Sequence, residues 1–127
     1  MNKQIVITAS VFGILAVVFG AFGAHGLQAK ISLFELDIWK TAVQYQFYHV
    51  FALLFLSLIP SAKAKLLNWA YWCFTIGILL FSGSLYLLST RNITGLSVAF
   101  LGPVTPIGGV FFIIGWASLL FSAIKSK

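Results

Sequence analysis

From Ile5 to Gly23 the chain runs nineteen residues without a charged side chain. At about 1.5 Å per residue, a helix of that length crosses a hydrocarbon layer of about 30 Å with little tilt. The pattern recurs. Spans are predicted over about 5–23, 39–59, 66–88 and 105–124, the second stopping at Pro60. The composition agrees: 61% of residues are hydrophobic, 8% are charged and the mean hydropathy is +1.04, whereas soluble domains carry roughly 25% charged residues. A cleaved signal peptide is the competing reading of the first span, because Lys3 precedes an apolar run that ends in small residues. That run is longer than the roughly 7–15 residues of a signal-peptide core. The expected fold is an all-α integral membrane four-helix bundle with short loops, forming a single transmembrane domain over 1–127.

Between Arg91 and Lys125 lie thirty-three uncharged residues, too many for one straight crossing. GPVTPIGG (102–109) contains two prolines and three glycines, which break helices. Residues 92–104 are therefore expected to form a non-spanning apolar loop or a short interfacial helix.

A net charge of +6 raises the question of nucleic acid. The basic residues are scattered between apolar runs rather than gathered on one face, so they read as topology markers and lipid-headgroup contacts, with no nucleic-acid partner. Four spans put Lys3, Lys63, Lys65, Lys125 and Lys127 on one side. Lys30, Lys40 and Arg91 fall on the other, with both acids, Glu35 and Asp37. Basic residues accumulate on the cytoplasmic side, so both termini are expected there. Cys73 is the only cysteine, which excludes an intrachain disulfide.

Small residues mark where helices approach one another. Ala9, Gly13, Ala16, Gly20 and Gly23 share one stripe of the first span. Ala70, Cys73, Gly77 and Ser84 do the same in the third span, and Gly108, Gly115, Ser118 and Ser122 in the fourth. Lipid gives helices no hydrophobic reason to associate, so close backbone approach at such stripes supplies the packing. Packing within the bundle is the first reading, and a homo-oligomer or larger membrane complex the alternative.

One stretch resists this apolar logic. TAVQYQFYHV (41–50) places Thr41, Gln44, Tyr45, Tyr48 and His49 within an arc of about 140° on one helix. Ser32 and Glu35 form a capping box that starts this helix near Leu33. Taking Trp39 as the interface puts Gln44 about 7 Å and His49 about 15 Å deep. His25, Ser82, Ser84, Tyr86 and Thr105 fall in the same outer leaflet. Two readings follow: an internal hydrogen-bond network that locks helix register, or a polar cavity open to the outer side. Metal ligation by His25 and His49 meets an offset of roughly 15 Å in depth, so no metal and no cofactor is expected. Nor does any nucleophile, base and orienting acid come together, and catalytic residues are not expected.

Four stretches stand in order: GAFGAHGL (20–27), WKTAVQYQFYHVFALL (39–54), GILLFSGSLYLLS (77–89) and GPVTPIGGVFFIIGW (102–116). Together they resemble the domain of unknown function 423 family, small bacterial inner-membrane proteins with eukaryotic relatives described as transmembrane protein 256. The resemblance covers nearly the whole chain. It implies four membrane helices and brings no activity or cofactor. Its recurring residues match His25, Trp39, Gln44, Tyr48, His49, Ser84, Gly102, Pro103, Pro106 and Gly108. The expected role is that of a non-enzymatic stabilising or accessory subunit that binds membrane lipids or partner helices. The alternative is a carrier or binding protein for a small polar or amphipathic ligand, using an outer-leaflet polar cavity.

Overall fold

The computed structural model describes residues 1–60, 64–97 and 99–125. Among these, every regular element is helical: α1 (Lys3–Phe22), continued by a π-helical turn over Gly23–Leu27; α2 (Leu33–Ser57); α3 (Ala64–Gly77), continued by a second π turn (Ile78–Ser82) into α4 (Gly83–Ser89); α5 (Arg91–Thr94); and α6 (Leu101–Ile124). Three helical stretches, Lys3–Leu27, Lys65–Ser89 and Leu101–Ile124, are long and apolar enough to cross a membrane. The predicted second span lies in α2, which has the length but not the composition. Glu35, Asp37, Lys40, Gln44, Gln46 and His49 all belong to it.

Local chemistry explains the boundaries. The Asn2 side chain accepts from the Ile5 amide at 3.2 Å and caps α1, while the Asn2 amide donates to the Ser57 carbonyl at 2.8 Å, pinning the start of α1 to the end of α2. At Ser32 the capping box is complete: the Glu35 amide donates to the Ser32 hydroxyl and the Ser32 amide to Glu35 Oε1, both at 3.1 Å. Residues 95–97, 99 and 100 lie outside the helices, but residues 101–104, predicted to belong to the loop, are helical: α6 starts at Leu101, four residues before the predicted start of the fourth span. The prolines do not break this helix. Pro103 lies in the first turn, where no amide has an intrahelical partner, and only Pro106 removes a hydrogen bond, the one to the Gly102 carbonyl. The single turn of α5 closes on Gly95, whose φ of +71° suits glycine.

Extensive contact runs between successive long helices: α1 on α2, α2 on the α3–α4 unit, and that unit on α6. α1 and α6 share no such contact. The pairs are antiparallel, as Gly115 against Phe74, Gly77 against Phe112 and Gly108 against Phe81 demonstrate for α3 and α6. Residues 1–2, 57–60 and 125 therefore gather at one end. Lys63 and Lys127, two of the five lysines assigned to that side, lie outside the described residues.

The small residues sit where helices meet. Ala9 and Ala16 are fully buried, and a Cβ at Gly23 would lie 2.6 Å from Trp39 Nε1. Ser118 is buried and donates to the Ile114 carbonyl of its own helix at 2.8 Å. Gly108 is the tightest crossing, because a Cβ there would run into the backbone of Leu80 and Phe81 in the second π turn. Backbone cannot rotate away. A Cβ at Gly20 would instead meet Val43 Cγ1 at 3.5 Å, an ordinary contact.

Gly108→Ala should therefore cost about 1–3 kcal/mol by forcing the helices apart, whereas Gly20→Ala should be neutral or gain up to about 1 kcal/mol of helix preference. Thermal unfolding of both variants in one detergent measures this. Equal shifts would contradict the assigned crossing.

Candidate functional site

α2 turns its polar residues in two directions. Gln46 is 2% exposed and bridges two helices: its Nε2 donates to the Phe12 carbonyl of α1 at 2.7 Å, and its Oε1 accepts from the Tyr86 hydroxyl of α4 at 2.6 Å. One amide thus joins three helices. Trp39 adds a second link to α1, with Nε1 donating to the Phe19 carbonyl at 2.9 Å, and its ring packs against Phe19, Phe22 and Tyr86. Ser82, in the second π turn, donates to the Ala42 carbonyl at 2.8 Å. Ser84 lies two residues on and faces the other way, its hydroxyl 2.6 Å from the Thr105 hydroxyl of α6. Thr8 and Tyr71 pair their hydroxyls at 2.8 Å between α1 and α3.

His49 is 4% exposed and bound on both ring nitrogens. Nδ1 lies 2.7 Å from the Tyr45 carbonyl, and the Trp116 indole Nε1 donates to Nε2 at 3.1 Å. A carbonyl only accepts and an indole N–H only donates, so the proton is on Nδ1 and the lone pair on Nε2. The ring is neutral in this arrangement. It stacks on Phe112 at 3.6 Å between centroids, tilted by 7°. Beside it, between α2 and α6, a groove of about 450 Å³ is lined by Tyr45, His49, Phe81, Pro106, Phe112 and Trp116. With both ring nitrogens engaged, the groove presents an aromatic and aliphatic wall.

Of the remaining predicted positions only Tyr45 touches this network, through its carbonyl and its ring beside His49. Gln44 and His25 are exposed, Tyr48 is 55% exposed and Tyr45 is 38% exposed. Thr41 donates to the Asp37 carbonyl of its own helix at 3.0 Å. The arc drawn on α2 thus divides, with His49 turned inward and Gln44 and Tyr48 outward, and Gln46, outside that arc, takes the central place. A sequence signal for it exists: Ala42, Gln46, Val50 and Leu53 follow the spacing of a buried stripe, and all four are buried. Trp116 carries no polar neighbour in sequence that would mark it as the partner of His49.

Among the described residues no three of His, Cys, Asp and Glu come together as metal ligands. Glu35 is buried at 6% exposure, but its oxygens are taken up by the Ser32 cap and by Asn92 Nδ2, at 3.0 Å. Of the buried side-chain polar atoms among the described residues, only Thr75 Oγ1 has no hydrogen-bond partner.

A family profile described as "Protein of unknown function (DUF423)" matches residues 19–109. The chain belongs to this family. A UPF0382 membrane protein of Staphylococcus aureus (strain bovine RF122 / ET3-1) is 46% identical over 123 residues, covering 97% of each chain. One from Staphylococcus epidermidis (strain ATCC 12228 / FDA PCI 1200) is 44% identical over 123 residues, with the same coverage. The UPF0382 membrane protein YwdK of Bacillus subtilis (strain 168) is 42% identical over 125 residues, 97% of this chain and 98% of the relative. No solved structure matches the chain. The matched DUF423 region takes in Phe19, Trp39, Gln46, His49, Ser82, Tyr86 and Thr105, the greater part of the network. It is a membrane protein family, and nothing in the DUF423 match or in these relatives points to catalysis.

In this DUF423 chain, Gln46→Leu leaves the Tyr86 hydroxyl without its acceptor in an apolar interior, which should cost about 1–3 kcal/mol. Gln44→Leu, on the exposed face, should stay within about 0.5 kcal/mol of the parent. Denaturant unfolding in mild detergent compares them, and a Gln44 effect as large as the Gln46 effect would contradict the inward placement of Gln46.

Proposed function

We propose that the chain crosses the bacterial cytoplasmic membrane four times, with both termini inside, and works without chemistry of its own as a stabilising or accessory subunit that contacts lipid and partner helices. α2 is the fourth crossing. Its 25 residues reach about 37 Å as a helix, and it lies between α1 and α3. Composition alone passes it over because it carries Glu35, Asp37 and Lys40 near its start and Gln44, Gln46 and His49 further in; Gln46 and His49 are paired with neighbouring helices, so lipid need not solvate those two. The orientation rests on the sequence count of basic residues, Lys3, Lys63, Lys65, Lys125 and Lys127 on the side of the termini against Lys30, Lys40 and Arg91 on the other.

The observation that carries the functional reading is where the polar groups go. Among the described residues the inward-facing ones, Thr75 Oγ1 excepted, bond to other helices or to their own backbone, and the outward surface is broad and apolar, with Ile14 at 65%, Phe51 at 61% and Ile113 at 68% exposure. In a bilayer such a surface meets acyl chains or other helices. The carrier reading needs free polar groups facing a cavity. The groove beside His49 offers none from that histidine.

A reporter active only in the cytoplasm should give signal when fused after Lys125 and lose it when fused after Arg91; the reverse pattern overturns the orientation. Native mass spectrometry of the chain taken from its membrane in mild detergent should find it carrying lipid or a second helical chain. A bare 13.9 kDa monomer overturns the accessory role.

A further inference from the structure

A second cavity lies at the opposite end from the capping box. There α1 begins, α2 ends and α3 begins. The Asn2 amide holds the first two of these together through the Ser57 carbonyl, and α3 starts across a gap from them. The resulting cleft measures about 830 Å³, within the range of roughly 300–1,000 Å³ typical of small-molecule sites. Its open apolar lining comes from Met1 and Leu58, 87% and 71% exposed, set over the buried Ile5, Leu67 and Tyr71, whose hydroxyl pairs with Thr8. Its rim is polar and cationic, formed by the exposed Gln4, Lys65 and Asn68.

Charge and depth decide what fits. The chain has only two acidic residues, Glu35 and Asp37, and both belong to the other end of the molecule. Lys65 therefore has no carboxylate to neutralise it, and neither do Lys3 and Lys125 at the same end. On α3, one to two turns beyond Lys65, Trp69 and Trp72 are 55% and 48% exposed. Exposed tryptophans of a membrane helix settle at the boundary between headgroups and hydrocarbon. By helix rise Lys65 lies about 6 Å before Trp69 along α3, which sets the rim at headgroup level. The match is an amphipathic molecule with an anionic head, since a free anion would leave Met1 and Leu58 uncovered and a zwitterionic lipid would bring a second cation beside Lys65.

We propose that this cleft binds one anionic phospholipid of the leaflet that the N-terminus faces, its phosphate at Lys65 between the side-chain amides of Gln4 and Asn68, and the first part of an acyl chain over Met1 and Leu58. The site deepens the lipid-contacting role proposed above and rests on it. It is separate from the groove beside His49 and from the outer polar residues.

The test uses the full chain in mild detergent, titrated with phosphatidylglycerol, with phosphatidylcholine of the same acyl chains, and with inorganic phosphate. Bound copies are read by native mass spectrometry and stabilisation by thermal unfolding. One phosphatidylglycerol should be retained under conditions that strip phosphatidylcholine. Lys65→Gln should weaken that binding about fivefold, the factor one basic residue contributes at an anionic membrane surface. Lys125→Gln, at the same end but outside the cleft, should leave it unchanged. Equal losses in the two variants would mean diffuse surface attraction and overturn the cleft. Equal retention of the two lipids overturns the headgroup site and leaves the accessory role standing, whereas retention of neither lipid removes both. Stabilisation by inorganic phosphate as large as that by phosphatidylglycerol overturns the lipid as occupant.

Discussion

A hydrocarbon layer cannot solvate an amide or a hydroxyl, so each polar side chain carried into it must find its partner on a helix. The link from the Phe12 carbonyl through Gln46 to the Tyr86 hydroxyl is the central instance, because it ties α1, α2 and α4 through one side chain. The Ser82 bond ties the second π turn to α2, and the Ser84 and Trp116 bonds extend the same logic to α6. Each such bond contributes about 0.6 kcal/mol within a membrane, too little to hold helices together alone. Their importance is register. A one-residue rotation of α2 turns Gln46 by about 100°, away from both partners and toward lipid.

Packing supplies what these bonds do not, and the second π turn is where the two meet. α6 reaches the backbone of Phe81 there only because residue 108 has no side chain. Ser82 and Ser84 flank that crossing and point to α2 and α6 respectively. π turns insert an extra residue into a helix and are frequent at functional positions; here the turn aims hydroxyls at two neighbours across a close contact. The His49 ring, stacked on Phe112 and bonded to Trp116, fills the space left between α2 and α6. That space stays partly open as the 450 Å³ groove.

Much of this architecture is legible in the sequence for identifiable reasons. Long uncharged runs and a capping box locate helices, and glycine, alanine and serine at helical spacing locate contact stripes. Less legible is which face of a polar helix points inward. The angular arc on α2 gathers Gln44, Tyr48 and His49 as if equivalent, yet only the neighbours decide which of them is buried, and Gln46 is found by following Ala42, Val50 and Leu53 instead. The start of α6 falls earlier than the prolines suggest, because in a first turn the missing amide of Pro103 costs nothing. The order in which helices pack, with α1 and α6 left without extensive mutual contact, has no signature in composition or spacing.

That the buried polar groups face one another rather than a ligand is tested most directly at His49, by nitrogen-15 NMR of the imidazole in a lipid nanodisc. The geometry predicts a proton on Nδ1, directed at the Tyr45 carbonyl, and a bare Nε2 whose shift responds to Trp116→Phe. A proton on Nε2, or a ring indifferent to loss of the Trp116 indole, would contradict it.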